Sequence, residues 1–190
     1  AGMENKVRLL IDDGGGRLTR ELEAPGGDLR AVCFSPDGRH VAAAGRGRVI
    51  HIWEAATGRQ AMQIALPRGT VEALAYSPDG SLIASAGSGG QVQLWKAADG
   101  QSAGVLGKDL GLVMSLEFVA QRYVAAGTSN NLIHLWNLED RNEHHRLLGH
   151  TGSVAALHYD SAAKVLISAG YDCTVRLWEL GLQQVAGAAR

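Results

Sequence analysis

The sequence predicts an all-β fold built from repeated four-stranded antiparallel units. Its four tryptophans, Trp53, Trp95, Trp136 and Trp178, are 42, 41 and 42 residues apart. A fixed period of about 40 residues is the signature of a repeat architecture. Each period contains an apolar strand, a turn, a second apolar strand, a turn, a third strand that ends in Trp, and a weaker fourth strand.

The turns between first and second strands support this assignment. Residues 35–38 and 77–80 both read Ser-Pro-Asp-Gly and lie between apolar runs. Proline presets φ, and Asp and Gly accept turn conformations, so both segments predict hairpin loops. Residues 119–122 and 160–163 stand at the same place in the later units and are poorer turn sequences. We expect the strand register there to depend more on the flanking strands.

The third strands predict where the tryptophans pack. Residues 49–53 and 132–136 mix strict alternation with doubled apolar positions, a pattern typical of strands that are buried on both faces. We therefore expect each Trp to lie in the core between neighbouring units. Burying one Trp side chain contributes roughly 2–3 kcal/mol, and its indole N–H then needs a hydrogen-bond acceptor.

The last unit resembles the WD-repeat family. It reads Leu-Gly-His-Thr-Gly-Ser-Val over 148–154 and Thr-Val-Arg-Leu-Trp-Glu over 174–179. The family carries Gly-His before the first strand and a Trp-Asp-like pair at the end of the third. The other tryptophans are followed by Glu54, Lys96 and Asn137, so the match rests on the period and the strand pattern. The resemblance implies a β-propeller of four-stranded antiparallel blades.

The resemblance also implies a hydrogen-bonded chain across the last blade. In the family, a His before the first strand, a Ser or Thr in the second, an Asp in the next turn and the Trp form this chain. The matching residues are His150, Ser168, Asp172 and Trp178. In the other units the His position holds Pro25, Pro67 and Asp109, the Ser position holds Ala43, Ser85 and Ala126, and the Asp position holds Gly47, Gly89 and Asn130.

The residue pattern favours a protein that is not an enzyme and that holds no metal or cofactor. A Ser-His-Asp trio is nucleophilic only with an exposed Ser beside an oxyanion hole. His144 and His145 are adjacent, so they point to opposite faces of a strand, and no nearby spacing completes a zinc set. We expect His51 and His134, two positions before their tryptophans, to pack between blades.

The length of 190 residues predicts about four blades. The blades are expected at approximately 25–66, 67–108, 109–149 and 150–180, with residues 17–24 as the strand that closes the last one. Residues 1–16 are expected to hold a tag remnant and an extra strand with Leu10 in the Trp position, and residues 181–190 a tail. A ring of seven blades needs roughly 300 residues.

Three assemblies are open at this point. Two chains would make an eight-bladed homodimer in which each strand 17–24 closes the last blade of the partner by strand exchange. The chain is alternatively a segment of a longer propeller whose other blades lie on another segment or polypeptide. The third possibility is a monomer that closes with four or five blades.

Composition sets the class of partner and the compartment. Hydrophobic residues make up 46% of the chain and the formal net charge is −1, which gives no general attraction to nucleic acid or to a membrane surface. Apolar runs are too short to span a bilayer. Cys33 and Cys173 lie in different units, which predicts reduced thiols in a cytoplasmic protein.

The function implied by the resemblance is that of a non-catalytic scaffold that binds proteins or peptides. The alternative is a sensor or assembly module of a larger signalling or regulatory protein. The family uses the face that carries the turns between second and third strands and the turns before each first strand. On this chain the candidate residues on that face are Arg46, Arg68, Ser88, Lys108, Ser129 and Tyr171.

Overall fold

The computed structural model describes residues 5–12 and 17–181, and all regular structure in these ranges is β-strand. The strands form five antiparallel sheets, each a simple up-and-down meander. Their bounds are β1 Lys6–Asp12 and β2 Arg17–Glu23; β3 Leu29–Phe34, β4 His40–Gly45, β5 Val49–Glu54 and β6 Gln60–Ala65; β7 Val71–Tyr76, β8 Leu82–Gly87, β9 Val92–Lys96 and β10 Ser102–Leu106; β11 Val113–Val119, β12 Tyr123–Thr128, β13 Ile133–Asn137 and β14 Glu143–Leu147; β15 Val154–Asp160, β16 Val165–Gly170 and β17 Val175–Glu179.

Three of the sheets are complete four-stranded blades, which confirms the predicted all-β fold of antiparallel four-stranded sheets. Blade 1 is β3–β6, blade 2 is β7–β10 and blade 3 is β11–β14. Blade 4 consists of the three strands β15–β17, and β1 with β2 forms a two-stranded sheet, here called the half-blade.

The half-blade pairs differently from the closing strand expected over residues 17–24. Within one chain, β2 pairs with β1 over seven residues, from Lys6 opposite Glu23 to Asp12 opposite Arg17. The two strands are neighbours in sequence and form a local hairpin, which is the shortest route to antiparallel pairing. Closure of blade 4 by residues 17–24 therefore stays a prediction about an assembled form.

Side-chain hydrogen bonds fix the two Ser-Pro-Asp-Gly hairpins. The Ser35 hydroxyl donates to Asp37 Oδ1 at 2.6 Å and accepts the backbone N–H of His40 at 2.9 Å. Ser77 repeats both contacts in blade 2. In blade 3 the turn instead places Ala120 and Gln121 at φ values of 48° and 59°, the conformation of a type I′ hairpin turn.

The tryptophans lie between successive sheets. Trp95 belongs to the core between blades 1 and 2, and Trp136 to the core between blades 2 and 3. Trp178 packs, partly buried, on the core between blades 3 and 4, while Trp53 packs with the half-blade. Each Trp therefore contacts the preceding sheet in the chain, and the core is a series of layers between sheets.

The second strands of the blades are rich in buried alanine. Ala42, Ala43 and Ala44 in β4 are fully buried, as are Ala84 in β8 and Ala125 in β12. The first strands of successive blades lie closest to each other. Small side chains allow sheets to approach closely at their inner strands, while the third strands carry Ile, Leu and Trp.

Candidate interaction surfaces

A hydrogen-bonded chain of four side chains crosses blade 4. His150 Nδ1 lies 2.8 Å from Asp172 Oδ2, and His150 Nε2 lies 2.7 Å from the Ser168 hydroxyl oxygen. That oxygen accepts the indole N–H of Trp178 at 2.8 Å. The strands bring together all four residues that the family resemblance selected. The hydrogen bonds among these residues connect the turns at one end of blade 4 to its third strand.

The Asp172 carboxylate is the anchor of this chain. Burial acts to raise its pKa, but the backbone N–H of Thr151, the hydroxyl of Thr174 and His150 all hydrogen-bond to it, and together they hold the pKa well below its usual range. Ser168 is 1% exposed and its hydroxyl already serves His150 and Trp178. The trio therefore lacks the exposed nucleophile that acyl transfer needs, and its role is structural.

Blades 1 and 3 stabilise their tryptophans in another way. His51 stacks on Trp53 with ring centroids 5.6 Å apart and planes at 15°. His134 stacks on Trp136 at the same distance and at 12°. The sequence placed both histidines between blades, and the structure adds that each stacks on the Trp of its own strand. The signal for this stack is a His two positions before the Trp.

Each stacked His also contacts a polar side chain on the fourth strand. Gln60 Nε2 lies 3.0 Å from His51 Nδ1, and Glu143 Oε1 pairs with His134 Nδ1. Burial lowers the pKa of His51, although a hydrogen bond with the backbone of Pro25 acts in the opposite direction. Burial of His51 in the core therefore favours its neutral form.

The six candidate contact residues lie in exposed turns at one end of the sheets, here called the turn face. Antiparallel meanders place the turns between second and third strands at the same end as the connections between blades. The Arg46 guanidinium lies 3.5 Å from Asp28, and Arg68 donates to Gln91 at 3.1 Å. Tyr171 is 69% exposed, and Lys108 is also exposed.

The hydroxyls of Ser88 and Ser129 link neighbouring turns of the turn face by hydrogen bonds. The Ser88 hydroxyl accepts the backbone N–H of Thr70 at 2.9 Å, and the Ser129 hydroxyl accepts that of Leu112 at 3.2 Å. Asp172 makes the equivalent contact in blade 4, where it accepts the N–H of Thr151 at 2.8 Å. Both serines thus tie the turn before a first strand to the turn after a second strand, a structural role that sequence reasoning missed.

A cleft of about 740 Å³ opens at the opposite end of the sheets, beside the hairpins of blades 3 and 4. Phe118, Tyr159 and Lys164 line it together with Glu117. Burial raises the pKa of Glu117, although the backbone N–H of Tyr159 donates to it at 3.1 Å. No sequence signal marks this cleft, because its lining comes from separate parts of the chain, namely Pro78, the hairpins of blades 3 and 4 and residues 179–181.

Residues 5–12 and 17–181 contain no group of three or more His, Cys, Asp or Glu side chains placed to hold a metal ion. In these ranges there is also no helix of the length and apolarity needed to cross a membrane.

The stacked antiparallel sheets and the Trp-anchored layers define a repeat protein of the propeller type. The family described as "WD domain, G-beta repeat" matches residues 16–54, 64–96 and 141–179, which together are more than half of the chain. The chain belongs to the WD-repeat family, as the sequence predicted. Members of this family generally act as non-catalytic scaffolds for protein interaction.

Two curated relatives share part of the sequence. DDB1- and CUL4-associated factor 13 of Dictyostelium discoideum is 34% identical over 61 residues, which are 32% of this chain and 14% of the relative. Autophagy-related protein 16 of Arabidopsis thaliana is 36% identical over 58 residues, which are 30% of this chain and 11% of the relative. The similarity thus spans less than a sixth of either relative.

Proposed function

We propose that this chain is a non-catalytic, cytoplasmic scaffold that binds proteins or peptides through the turn face, without affinity for nucleic acid or membranes. The observation that carries the proposal is the construction of that face. Ser88 and Ser129 fix its backbone by internal hydrogen bonds, while Arg46 and Tyr171 expose long side chains beside them. Arg and Tyr are enriched at interface hot spots, and a rigid frame reduces the entropy lost on binding.

The binding proposal is tested by comparing two double variants in an affinity capture read by mass spectrometry. Arg46→Glu with Tyr171→Ala changes the turn face, and Lys164→Glu with Glu179→Lys changes the cleft end without changing net charge. We expect the first variant to lose proteins that the wild type and the control variant both retain, with unchanged circular dichroism. Equal capture by all three proteins, or unfolding of the first variant, would remove the site assignment.

We further propose that two chains complete one eight-bladed ring as a homodimer. Eight blades fill a circle at about 45° each, and one chain supplies four repeat units. The face of blade 4 that is turned away from blade 3 is here called the outer face of blade 4. On it, Val175 and Leu177 are 68% and 72% exposed. Large apolar side chains at such exposure favour a covering partner, because an isolated half-ring would present them to water.

One observation favours the alternative, that the chain is a propeller segment and assembly module of a larger regulatory protein. The half-blade has only the third-strand and fourth-strand positions of a blade, so the two inner strands of that blade are absent from the described part of the chain. Both curated relatives are also much longer than the matched segment. In this alternative the missing strands come from another part of the native protein.

Light scattering on a size-exclusion column separates these assemblies. The chain has a mass of 20.0 kDa, so a homodimer has about 40 kDa. A species at twice the chain mass supports the eight-bladed ring. A species at the chain mass that unfolds cooperatively means that one chain closes alone, and a polydisperse sample means that another segment supplies blades.

A further inference from the structure

Exposed apolar side chains mark the half-blade side of blade 1. Val32 and Phe34 in β3 are 42% and 56% exposed. The equivalent residues in blade 3, Leu116 and Phe118, are 7% and 5% exposed, because the inner strands of blade 2 cover them. The half-blade consists of β1 and β2 alone, so within one chain nothing among the described residues takes the place of inner strands over Val32 and Phe34.

The second uncovered surface is the outer face of blade 4. Val175 and Leu177 stand three and one positions before Trp178 and are exposed. The residues at these positions in the three complete blades are all at most 3% exposed, because the next blade packs on them. These buried equivalents are Ile50, Ile52, Val92, Leu94, Ile133 and Leu135.

The strand β1 matches β17 in sequence and in position. Val7-Arg8-Leu9 repeats Val175-Arg176-Leu177 residue for residue. Val7 and Leu9 are 3% and 7% exposed because they pack on blade 1 in the core that contains Trp53. On β17 the same two side chain types are present and uncovered. A β17 placed where β1 lies would therefore present the same Val and Leu to blade 1.

A buried polar atom points to the same exchange. On the outer face of the half-blade, Arg8 Nε donates to Glu21 at 3.1 Å, and the two residues lie opposite each other in the strand pair. Arg176 holds the matching position in β17, and its Nε is buried without a hydrogen-bond partner in the described structure. Buried donors are rarely left unsatisfied. Glu21 would supply an acceptor if β17 lay beside β2.

We propose that β1 occupies the binding site of β17 from a second copy. This site consists of the edge of β2 and the face of blade 1 on which β1 packs. Blade 4 of the second copy binds there when the ring closes, so closure requires β1 to detach. The occupant is β15–β17 of the second copy, whose inner strands then cover Val32 and Phe34. The inference rests on the proposed homodimer and adds competition between two strands for one site.

The exchange is balanced in hydrogen bonds and favourable in burial. β2 keeps a third-strand neighbour in both forms, so its backbone bonds to β1 are replaced by equivalent bonds to β17. The fourth-strand edge of β17, which pairs only with β16 among the described strands, gains β2 as its partner. Val175 and Leu177 become covered as Val7 and Leu9 become exposed, so the net gain in burial comes from Val32 and Phe34. The affinity of the dimer is thereby set by how readily β1 detaches.

A disulfide that locks β1 onto β2 tests the competition in the full chain. Leu10 and Thr19 are exposed and directly opposite in the strand pair, so Leu10→Cys with Thr19→Cys has the geometry for a disulfide. Cys173→Ser removes the exposed native thiol. By light scattering we expect the oxidised protein to stay at the chain mass and the reduced protein to reach twice that mass at the same concentration.

Two point variants test the exchange from the other direction. Leu9→Asp weakens the packing of β1 on blade 1 and should lower the dimer dissociation constant at least tenfold. Leu177→Asp changes an exposed residue of blade 4 and should abolish the dimer without unfolding the chain, and the combined variant should also be monomeric. If Leu9→Asp does not fold, the disulfide experiment alone decides the question.

The outcomes distinguish the inference from the proposal on which it rests. A locked chain that dimerises as well as the reduced one overturns the strand exchange and leaves the homodimer intact. A Leu9→Asp variant that folds but dimerises no more tightly than the wild type also overturns the exchange. If the wild type, the reduced disulfide variant and the Leu9→Asp variant are all monomeric, both the homodimer and the exchange are overturned.

Discussion

The hydroxyl of Ser85 accepts the indole N–H of Trp95 at 2.8 Å, deep between blades 1 and 2. Blade 2 has Pro67 and Gly89 where blade 4 has a His and an Asp, so only this bond of the longer chain remains. In blade 2 the Ser hydroxyl therefore serves the tryptophan without help from a His or an Asp. A buried indole N–H needs an acceptor, whereas the His and Asp contribute to the turns.

The variant Ser85→Ala should destabilise the fold by about 1–3 kcal/mol, because it leaves the buried N–H of Trp95 without an acceptor. Urea unfolding followed by Trp fluorescence measures the change. Ser161→Ala, at an exposed position of a hairpin, is the matched control and should stay within about 0.5 kcal/mol of the wild type. Equal effects of the two variants would contradict a structural role for the Ser85 hydroxyl.

The variant Asp172→Asn should lose stability at neutral pH and approach the wild type in acid. The folded pKa of Asp172 is below its usual value despite burial, because hydrogen bonds from Thr151, Thr174 and His150 favour the carboxylate. The contribution of this carboxylate to the free energy of unfolding is therefore fully present above the unfolded pKa of about 3.9 and is lost as the pH falls toward the folded pKa. Urea midpoints of both proteins between pH 7 and pH 3 measure the difference in stability between wild type and variant. A difference that does not change with pH would contradict a stabilising role of the Asp172 carboxylate.

The variant His51→Gln should be less sensitive to mild acid than the wild type. Burial lowers the pKa of His51, so below the unfolded pKa of about 6.5 the unfolded chain binds a proton that the folded chain resists. Wild-type stability should therefore fall from pH 7.5 to pH 5.5 by more than that of the variant. Gln is the natural residue at this position in blade 2, as Gln93. Identical pH profiles would mean that His51 titrates as freely in the folded chain as in the unfolded one.

The two cysteines should react at very different rates. Burial raises the pKa of the Cys33 thiol to about 12, whereas Cys173 is exposed in a turn. Because the thiolate is the reactive form, a disulfide reagent such as DTNB should modify Cys173 in the native protein. Cys33 should react only after denaturant is added. Rapid modification of two thiols in native buffer would show that the first strand of blade 1 opens readily.

Much of the fold could be predicted from the sequence, because its signals are local. The Trp period sets the third strands, and the Ser-Pro-Asp-Gly segments at 35–38 and 77–80 place two hairpins whose side chains make the bonds described above. The hydrogen-bonded chain from His150 to Trp178 could also be selected, because one regular unit keeps all of its members. Each of these features appears in the sequence as a short motif or as a regular spacing.

Other features depend on contacts that no local sequence motif indicates. The hydroxyl of Ser88 contacts a residue 18 positions earlier, and nothing in its neighbourhood distinguishes it from a solvent-exposed serine. The spacing of His51 and Trp53 puts both on one face of β5, but it does not fix the side-chain orientations that let the rings stack. The pairing of β2 with β1 is a choice between two possible neighbours, which depends on the relative free energies of whole arrangements.

The alanines of the second strands have a consequence for how the number of blades could change. Their small volume near the inner edge, against Ile, Leu and Trp further out, gives each layer a wedge shape, and the wedge angle sets the curvature of the stack. Replacing Ala84, which is fully buried, with a larger residue would widen the inner edge and flatten the curve. A few methyl groups on β4, β8 and β12 can thus decide how many units are needed to complete a circle.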